Sequence, residues 1–274
     1  MSVSNAFRDF EHAGWGNDSV AISYHRNLGE VTSGCIPELV RAASVAAGGK
    51  VLDVACGAGY LAAAARDLGA EAIGLDFSAA QVRLAQQTYP DLQFIEGDAE
   101  DLPFEDMAFD VVLNGFGMPH VPHPEKATAE AFRVLKPAGR FAYAAWCEAA
   151  KCVLFSMVYE AIGAHGSLDA GLPAGPNFFS CGDLGYASEM LVRAGFTEIS
   201  ATEVPLAWRV SSPDAVIDAI SSGTVRAAAI LKRQNPENLA NVKNHMRERI
   251  LSYEQNGAYV IPAPARVVTA HKPQ

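Results

Sequence analysis

The stretch Lys50-Val51-Leu52-Asp53-Val54-Ala55-Cys56-Gly57-Ala58-Gly59-Tyr60-Leu61 decides how the rest of this chain is read. Val51 to Val54 has the character of a short buried strand, Gly57-Ala58-Gly59 is a turn, and Tyr60 to Leu68 is an alanine-rich helix. A strand feeding a glycine turn and then a helix opens a nucleotide-binding βαβ unit. Gly57 and Gly59 carry no Cβ, so the backbone can bend sharply and a ligand can lie against it. The helix that follows aims its unpaired N–H groups and the positive end of its dipole at the same spot.

Two ligand classes compete for such a turn. Gly57-x-Gly59-x-x-Ala62 fits the dinucleotide fingerprint, a weak signal when it stands alone. Asp53, at the end of the strand, separates the two. A carboxylate there repels a pyrophosphate and attracts an ammonium, such as the amino group of a methionine moiety. Asp53 therefore argues for S-adenosylmethionine (SAM) over NAD, against the plainer alternative that it only caps the following turn.

Further along, Glu71 to Asp76 reads as a second strand. Asp76 stands about twenty positions beyond the turn, where one carboxylate can accept from both hydroxyls of a ribose. Ser78-x-x-Gln81 has the form of a capping box opening a helix over Ala79 to Thr88. Leu92 to Glu96 is a third strand, followed by the acidic loop Gly97-Asp98-Ala99-Glu100-Asp101-Leu102-Pro103-Phe104. Asp98 has the chemistry to accept the exocyclic amine of an adenine while the Ala99 N–H donates to a ring nitrogen; a polar surface turn is the alternative. Phe109 to Asn114 is a fourth strand, Pro124 to Leu135 a helix stopped by Lys136-Pro137-Ala138-Gly139, and Arg140 to Trp146 a fifth strand.

Asp53-x-x-Cys56-Gly57-x-Gly59, Asp76, Gly97-Asp98-Ala99-Glu100-x-Leu102-Pro103-Phe104, Phe109-Asp110-Val111-Val112 and Arg133-Val134-Leu135-Lys136-Pro137-x-Gly139 occur in that order. Together they resemble the class I SAM-dependent methyltransferases, in particular the ubiquinone/menaquinone C-methyltransferase-like (type 11/25) group. The resemblance spans residues 50–146. It implies a Rossmann-like α/β fold: a seven-stranded mixed sheet of order 3-2-1-4-5-7-6 with helices on both faces. It implies SAM as cofactor, with S-adenosylhomocysteine as product, held by Asp53, Ala55, Gly57, Gly59, Asp76, Phe77, Gln81, Asp98, Ala99 and Asn114. Arg133-Val134-Leu135 and the Pro-Gly stop are structural in that family.

Residues 1–49 read as helices over Asn5 to Ala13, Ser19 to Arg26 and Ile36 to Ala47, separated by glycines. They are expected to form a lid that brings Tyr24 to the cofactor, with a packing arm as the alternative. Residues 50–274 are then the SAM-binding methyltransferase domain. Beyond Trp146, Glu148 to Ile162 and Asp183 to Ala194 read as helices and Thr197 to Val204 as a strand; Ala258 to Ala270 fits the last strand. Between these strands lies a helical insertion over about 211–256, with helix starts at Ser212-Pro213-Asp214 and Asn235-Pro236-Glu237. It is long for a hairpin connection, and is expected to cap the substrate side, with a homodimer interface as the alternative.

Of the 274 residues half are hydrophobic, so a large core is expected, and the net charge of −10 with no basic run disfavours nucleic acid as a partner. The opening residues Met1 to Asn5 lack the pattern of a signal peptide, and no apolar run approaches the ~20 residues of a membrane span. Five scattered cysteines fit reduced cytoplasmic thiols and give no metal-ligand spacing.

The partner expected is a small-molecule methyl acceptor. In open α/β sheets ligands sit beyond the carboxyl ends of the strands, which points to Phe116, Met118, His120, His123, Trp146 and Cys147. His120 is the leading candidate for a general base; lining the pocket or capping the Pro124 helix is the alternative, and His123 reads as the cap. Trp146, Phe178, Phe179 and Trp208 are candidates for an aromatic wall. Cys147 and Cys152 raise an arsenite-methylating alternative, against which stands their reading as buried, inert thiols.

Overall fold

Near-continuous apolar runs at Val51–Val54 and Phe141–Trp146 demand strands covered on both faces. The computed structural model supplies both covers. It describes residues 3–274; Met1 and Ser2, which belong to the opening read for a leader and to the 1–49 segment, lie outside the described residues. Four helices come first: α1 (Val3–Trp15), α2 (Asp18–Asn27), α3 (Gly29–Ser33) and α4 (Ile36–Ala42). β1 (Lys50–Val54), α5 (Tyr60–Asp67), β2 (Glu71–Asp76), α6 (Ala79–Thr88) and β3 (Gln93–Glu96) make one half of the sheet. β4 (Phe109–Gly115), α7 (Pro124–Val134) and β5 (Leu135–Trp146) begin the other. There follow α8 (Val153–His165), α9 (Leu184–Arg193), β6 (Thr197–Val204), β7 (Ala207–Val210), α10 (Pro213–Gly223), α11 (Arg226–Lys232), α12 (Pro236–Leu251), β8 (Glu254–Gln255), β9 (Ala258–Pro262) and β10 (Ala265–His271).

The large sheet has order β3-β2-β1-β4-β5-β10-β6, the mixed seven-stranded arrangement expected once its last strand is counted as β10. β1 pairs in parallel with β2 and β4, and β10 runs antiparallel between β5 and β6. Along β5 the side chains alternate. Phe141, Tyr143 and Ala145 belong to one core cluster, and Ala142, Ala144 and Trp146 to the other, which also holds α8, α10 and α12 residues.

The stretch read as one strand over Ala258 to Ala270 is two. β9 belongs to a separate three-stranded sheet of order β7-β9-β8, and only β10 enters the large one. Asn256 and Gly257 both have positive φ (53° and 77°), the two-residue hairpin turn that suits the twist of β8 and β9. Val210 pairs with Tyr259, so a short ladder ties the two ends of the insertion together. Both proposed helix starts are capped: Ser212 accepts from the Ala215 N–H and Asn235 from the Asn238 N–H. Other boundaries shift. α4 stops at Ala42, α8 begins at Val153, and β5 starts at Leu135, running through the expected stop with Ala138 in the left-handed region.

The motif residues away from the turn have a mechanical purpose. Arg133 donates to the carbonyls of Leu102 and Phe104, and Glu130 accepts from the Leu102 N–H, so α7 pins the acidic loop from behind. Asp110 accepts from the Lys50 N–H and from Lys136 Nζ, clamping the starts of β1, β4 and β5. Among the described residues no helix is long and apolar enough to cross a membrane.

Candidate active site

At the carboxyl ends of β1 and β4 the backbone turns abruptly. Ala55 (φ 55°) and Phe116 (φ 64°) both occupy the left-handed region, and both line a cleft. Non-glycine residues held there store strain that the surrounding packing must offset, and such positions gather at functional sites. Gly117 is required beside them, because a Cβ there would lie 2.4 Å from that of Ala55. The cleft is floored by Ala55 to Ala58, Asp76, Phe77, Gln81, Asp98 and Ala99.

Asp53 is buried beneath this floor. One carboxylate oxygen accepts from the Ala62 N–H at 3.0 Å, capping α5, whose N-cap Gly59 has no side chain to do so. The other oxygen has no hydrogen-bond partner. Asp53 borders a smaller cavity that shares Ala55, Cys56, Gly115 and Phe116 with the cleft. Burial raises its pKa to about 8, with the charge of Asp76 adding to the rise. Asp76 accepts from the Gly57 and Ser78 N–H groups, both at 2.9 Å, and burial raises its pKa to about 6. Gly57 (φ 53°) is open to the cleft, a Cβ there meeting only Gln81 at 3.9 Å. Gly59 does not line the cleft; its φ of 86° and the Phe94 ring behind it are what exclude a side chain.

The N-terminal helices roof this floor. Arg8, Glu11, His12 and Trp15 of α1 lie at helical spacing, so they share one face, and all four line the cleft. Arg8 pairs with Glu100 at 2.8 Å and with Asp98 at 3.5 Å. His12 stacks on Phe77 with centroids 4.3 Å apart. The Trp15 carbonyl accepts from the Ser78 hydroxyl at 2.7 Å. From α2 come Tyr24, set edge-on to Trp15 with its phenol pKa raised by burial to about 12, and His25, hydrogen-bonded to the Tyr60 hydroxyl. His123 stands at the N-cap position of α7, yet its N–H and ring both turn to Glu100.

His120 lies at a junction. It lines the cleft and also a second, aromatic cavity walled by Phe116, Trp146, Phe155, Tyr159 and Phe178. These rings follow one another in contact: Phe116 to Trp146 at 4.2 Å, Trp146 to Phe155 at 4.9 Å and Phe155 to Phe178 at 5.3 Å. The Nδ1 of His120 is 2.8 Å from the buried carboxylate of Glu11, which also accepts from the Trp15 indole at 3.0 Å. A carboxylate on Nδ1 fixes the tautomer and leaves Nε2 as the proton-accepting nitrogen. The roof of this cavity comes from α1 and from Thr224 to Ala227, at the α10–α11 junction. The two roofs touch: Ser23 and Ser222 share a hydrogen bond at 2.7 Å, and Gly14 fits against Val225 where a Cβ would collide.

The structure does not bring all the sequence candidates together. Met118 is buried in the core on the far side of the sheet, Phe179 packs behind Phe178, and Trp208 is a buried member of the small sheet. None of the three lines the cleft or the aromatic cavity. The Asn114 side chain is internal, its amide donating to the Val54 carbonyl and its oxygen accepting from Gly117 and Met118, so it shapes the turn after β4, and the ligand contact that the resemblance implies there is one of the backbone. Burial pushes the Cys147 thiol up to about 11 and that of Cys152 to about 12, which disfavours thiolates. No cluster of His, Cys, Asp or Glu among the described residues could hold a metal ion. Glu11 and Trp15 were missed by the sequence reading. The signal was their face-sharing spacing with Arg8 and His12, but nothing local told which way that face would turn.

Residues 52–143 match a family model described as "Methyltransferase domain". The demethylmenaquinone methyltransferase of Renibacterium salmoninarum is 42% identical over 106 residues, 39% of this chain and 45% of the relative. The phthiotriol/phenolphthiotriol dimycocerosates methyltransferase of Mycobacterium tuberculosis is 44% identical over 110 residues, 38% of this chain and 40% of the relative. The chain thus spans about half or less of the length of the curated relatives it matches. In solved structures, the YcgJ protein of Bacillus subtilis shares the fold with a TM-score of 0.58 at 20% identity, over 87% of this chain and 98% of that one.

Proposed function

We propose, from the match of residues 52–143 to a methyltransferase domain and from the likeness of that stretch to demethylmenaquinone methyltransferases, that the protein methylates a small organic molecule using SAM. The observation that carries this reading is the junction at His120, where a cleft floored by the glycine turn, Asp76 and Asp98-Ala99 meets an aromatic cavity.

The residues present fit the cofactor. The partnerless oxygen of buried Asp53 suits an ammonium, which brings the donors that the oxygen lacks. Asp76 would accept from the ribose hydroxyls while holding the turn through the Gly57 N–H, and Phe77, Asp98 and Ala99 would take the adenine. When bound, SAM supplies a methyl group on a positively charged sulfur, whose C–S bond breaks as the acceptor's nucleophilic atom bonds to the methyl carbon.

The protein's own contribution is placement. Phe116, Trp146, Phe155 and Phe178 hold a flat acceptor against the cleft and exclude water. For an acceptor O–H or N–H, His120 Nε2 takes the proton as general base, and Glu11 steadies the imidazolium that results. The lid (α1 to α4) and the cap (α10 to α12) close over the two ligands together, and their shared contact couples them.

Isothermal titration with S-adenosylhomocysteine tests the reading. Tight binding that Asp76→Ala weakens by about tenfold or more is expected, since that variant loses the hydroxyl acceptor and frees the Gly57 N–H. Binding that is absent, or unmoved by the substitution, would overturn it.

A further inference from the structure

Apart from the phenols of Tyr24 and Tyr159, three residues lining the aromatic cavity carry charge or can acquire it: Glu11, His120 and Arg226. Glu11 and His120 are paired with each other. Arg226 is not paired in this way. Its guanidinium donates from Nη1 to the Pro173 carbonyl at 2.9 Å, and it takes part in none of the ion pairs among the described residues. A guanidinium carries five N–H donors, so most of its capacity remains, next to a wall of rings.

We propose that the methyl acceptor is an aromatic molecule bearing an anionic group, an aryl carboxylate in the simplest case, and that Arg226 holds that group. This rests on the methyltransferase reading and narrows it to an acceptor class.

The lining residues set the direction in which such a molecule lies. Glu11, Trp15, Tyr24, Phe116 and His120 line both the cleft and the aromatic cavity, whereas Arg226 lines the aromatic cavity alone. The anion is therefore held away from the cofactor side, and the end of the molecule that receives the methyl group faces His120. A fork of parallel N–H donors matches a carboxylate, and the surrounding rings keep water from competing.

A box of aromatic rings would by itself suit an alkylammonium acceptor through cation–π attraction. Arg226 reverses that preference, because its positive charge repels the cation within the same walls. The Glu11 carboxylate is already engaged as acceptor by the Trp15 indole and His120, whereas most of the Arg226 donors are open to a ligand. The phenol of Tyr159, which also lines the cavity, feels both charges: burial raises its pKa, Arg226 opposes that rise and, more weakly, Glu11 adds to it.

The test uses the full chain saturated with S-adenosylhomocysteine. It is titrated with 4-hydroxycinnamate and 6-hydroxy-2-naphthoate, each against its own primary amide. These pairs keep ring and phenol constant and remove only the anion. At least one acid is expected to bind about tenfold or more tightly than its amide. Arg226→Met should abolish that preference and leave S-adenosylhomocysteine affinity unchanged, and Arg226→Lys should restore it in part. Equal or tighter binding of both amides, or an acid preference that survives in Arg226→Met, overturns the acceptor class. Failure of S-adenosylhomocysteine to bind at all would instead remove the methyltransferase reading, and this inference with it.

Discussion

Asp53 concentrates the chemistry of this site into one carboxylate. Its pKa of about 8 in the fold stands far above the ordinary ~3.9 of an aspartate. The folded state therefore keeps a proton that the unfolded chain gives up. The resulting stability is full below the unfolded value and is lost as pH rises through about 8. Asp53→Asn keeps an acceptor for the Ala62 N–H and removes the ionisation. We expect its Tm to exceed that of the parent by a few degrees at pH 8, with the gap closing towards pH 4; scanning fluorimetry across pH checks this. Cofactor binding should move a proton for the same reason. An ammonium seated on Asp53 needs the carboxylate ionised, so S-adenosylhomocysteine binding at pH 7 should release close to ~1 proton. Titration calorimetry in buffers of different ionisation enthalpy reads that number, and a value near zero would separate Asp53 from the ligand.

At the scale of elements, two glycines in one turn behave differently. A Cβ at Gly59 would lie 2.6 Å from the Phe94 ring with φ at 86°, so Gly59→Ala should cost about 2–4 kcal/mol in urea unfolding. At Gly57 the φ of 53° is milder and the nearest atom is 3.9 Å away. Gly57→Ala should therefore cost only about 1 kcal/mol of stability while still hindering a ligand laid against the turn. Helix α1 is held by its buried carboxylate. Glu11→Ala leaves the Trp15 indole and His120 without their shared acceptor, and should cost about 1–3 kcal/mol. In a chain of this size that is roughly 2–4 °C in Tm per kcal/mol, measurable by circular dichroism melting.

The whole molecule works as a sheet with a two-part roof. The cleft under α1 and α2 has a volume of about 120 Å³, below the ~300–1,000 Å³ typical of small-molecule sites. We therefore expect the roof to lift when a nucleoside enters. Polar contacts that can re-form after opening, from Arg8 to Glu100 and from Ser78 to Trp15, fasten it alongside the stacking of His12 on Phe77. Hydrogen exchange should show residues 3–27 exchanging far faster than β1 or β4 in the free protein, and gaining protection with S-adenosylhomocysteine. Unchanged exchange there would mean that the roof is fixed and the ligand takes another route.

The amino-acid sequence by itself determined the sheet and the turn. Strand-length apolar runs, Gly57 and Gly59, Asp76 and the acidic loop act over a few residues each, and the βαβ handedness leaves few ways to join them. Local chemistry was enough to place Ser212 and Asn235 as helix caps, and Asn256-Gly257 was an equally readable hairpin that went unread. Tertiary structure alone decided the rest. Whether Met118 or Trp146 lines the aromatic cavity depends on which side of a buried sheet each meets, and both sides are apolar. The meeting of Glu11 with His120, 109 positions apart, and of Arg226 with the Phe116 wall, depends on how a helical roof docks. Docking is settled by packing between distant segments, which no window of sequence contains.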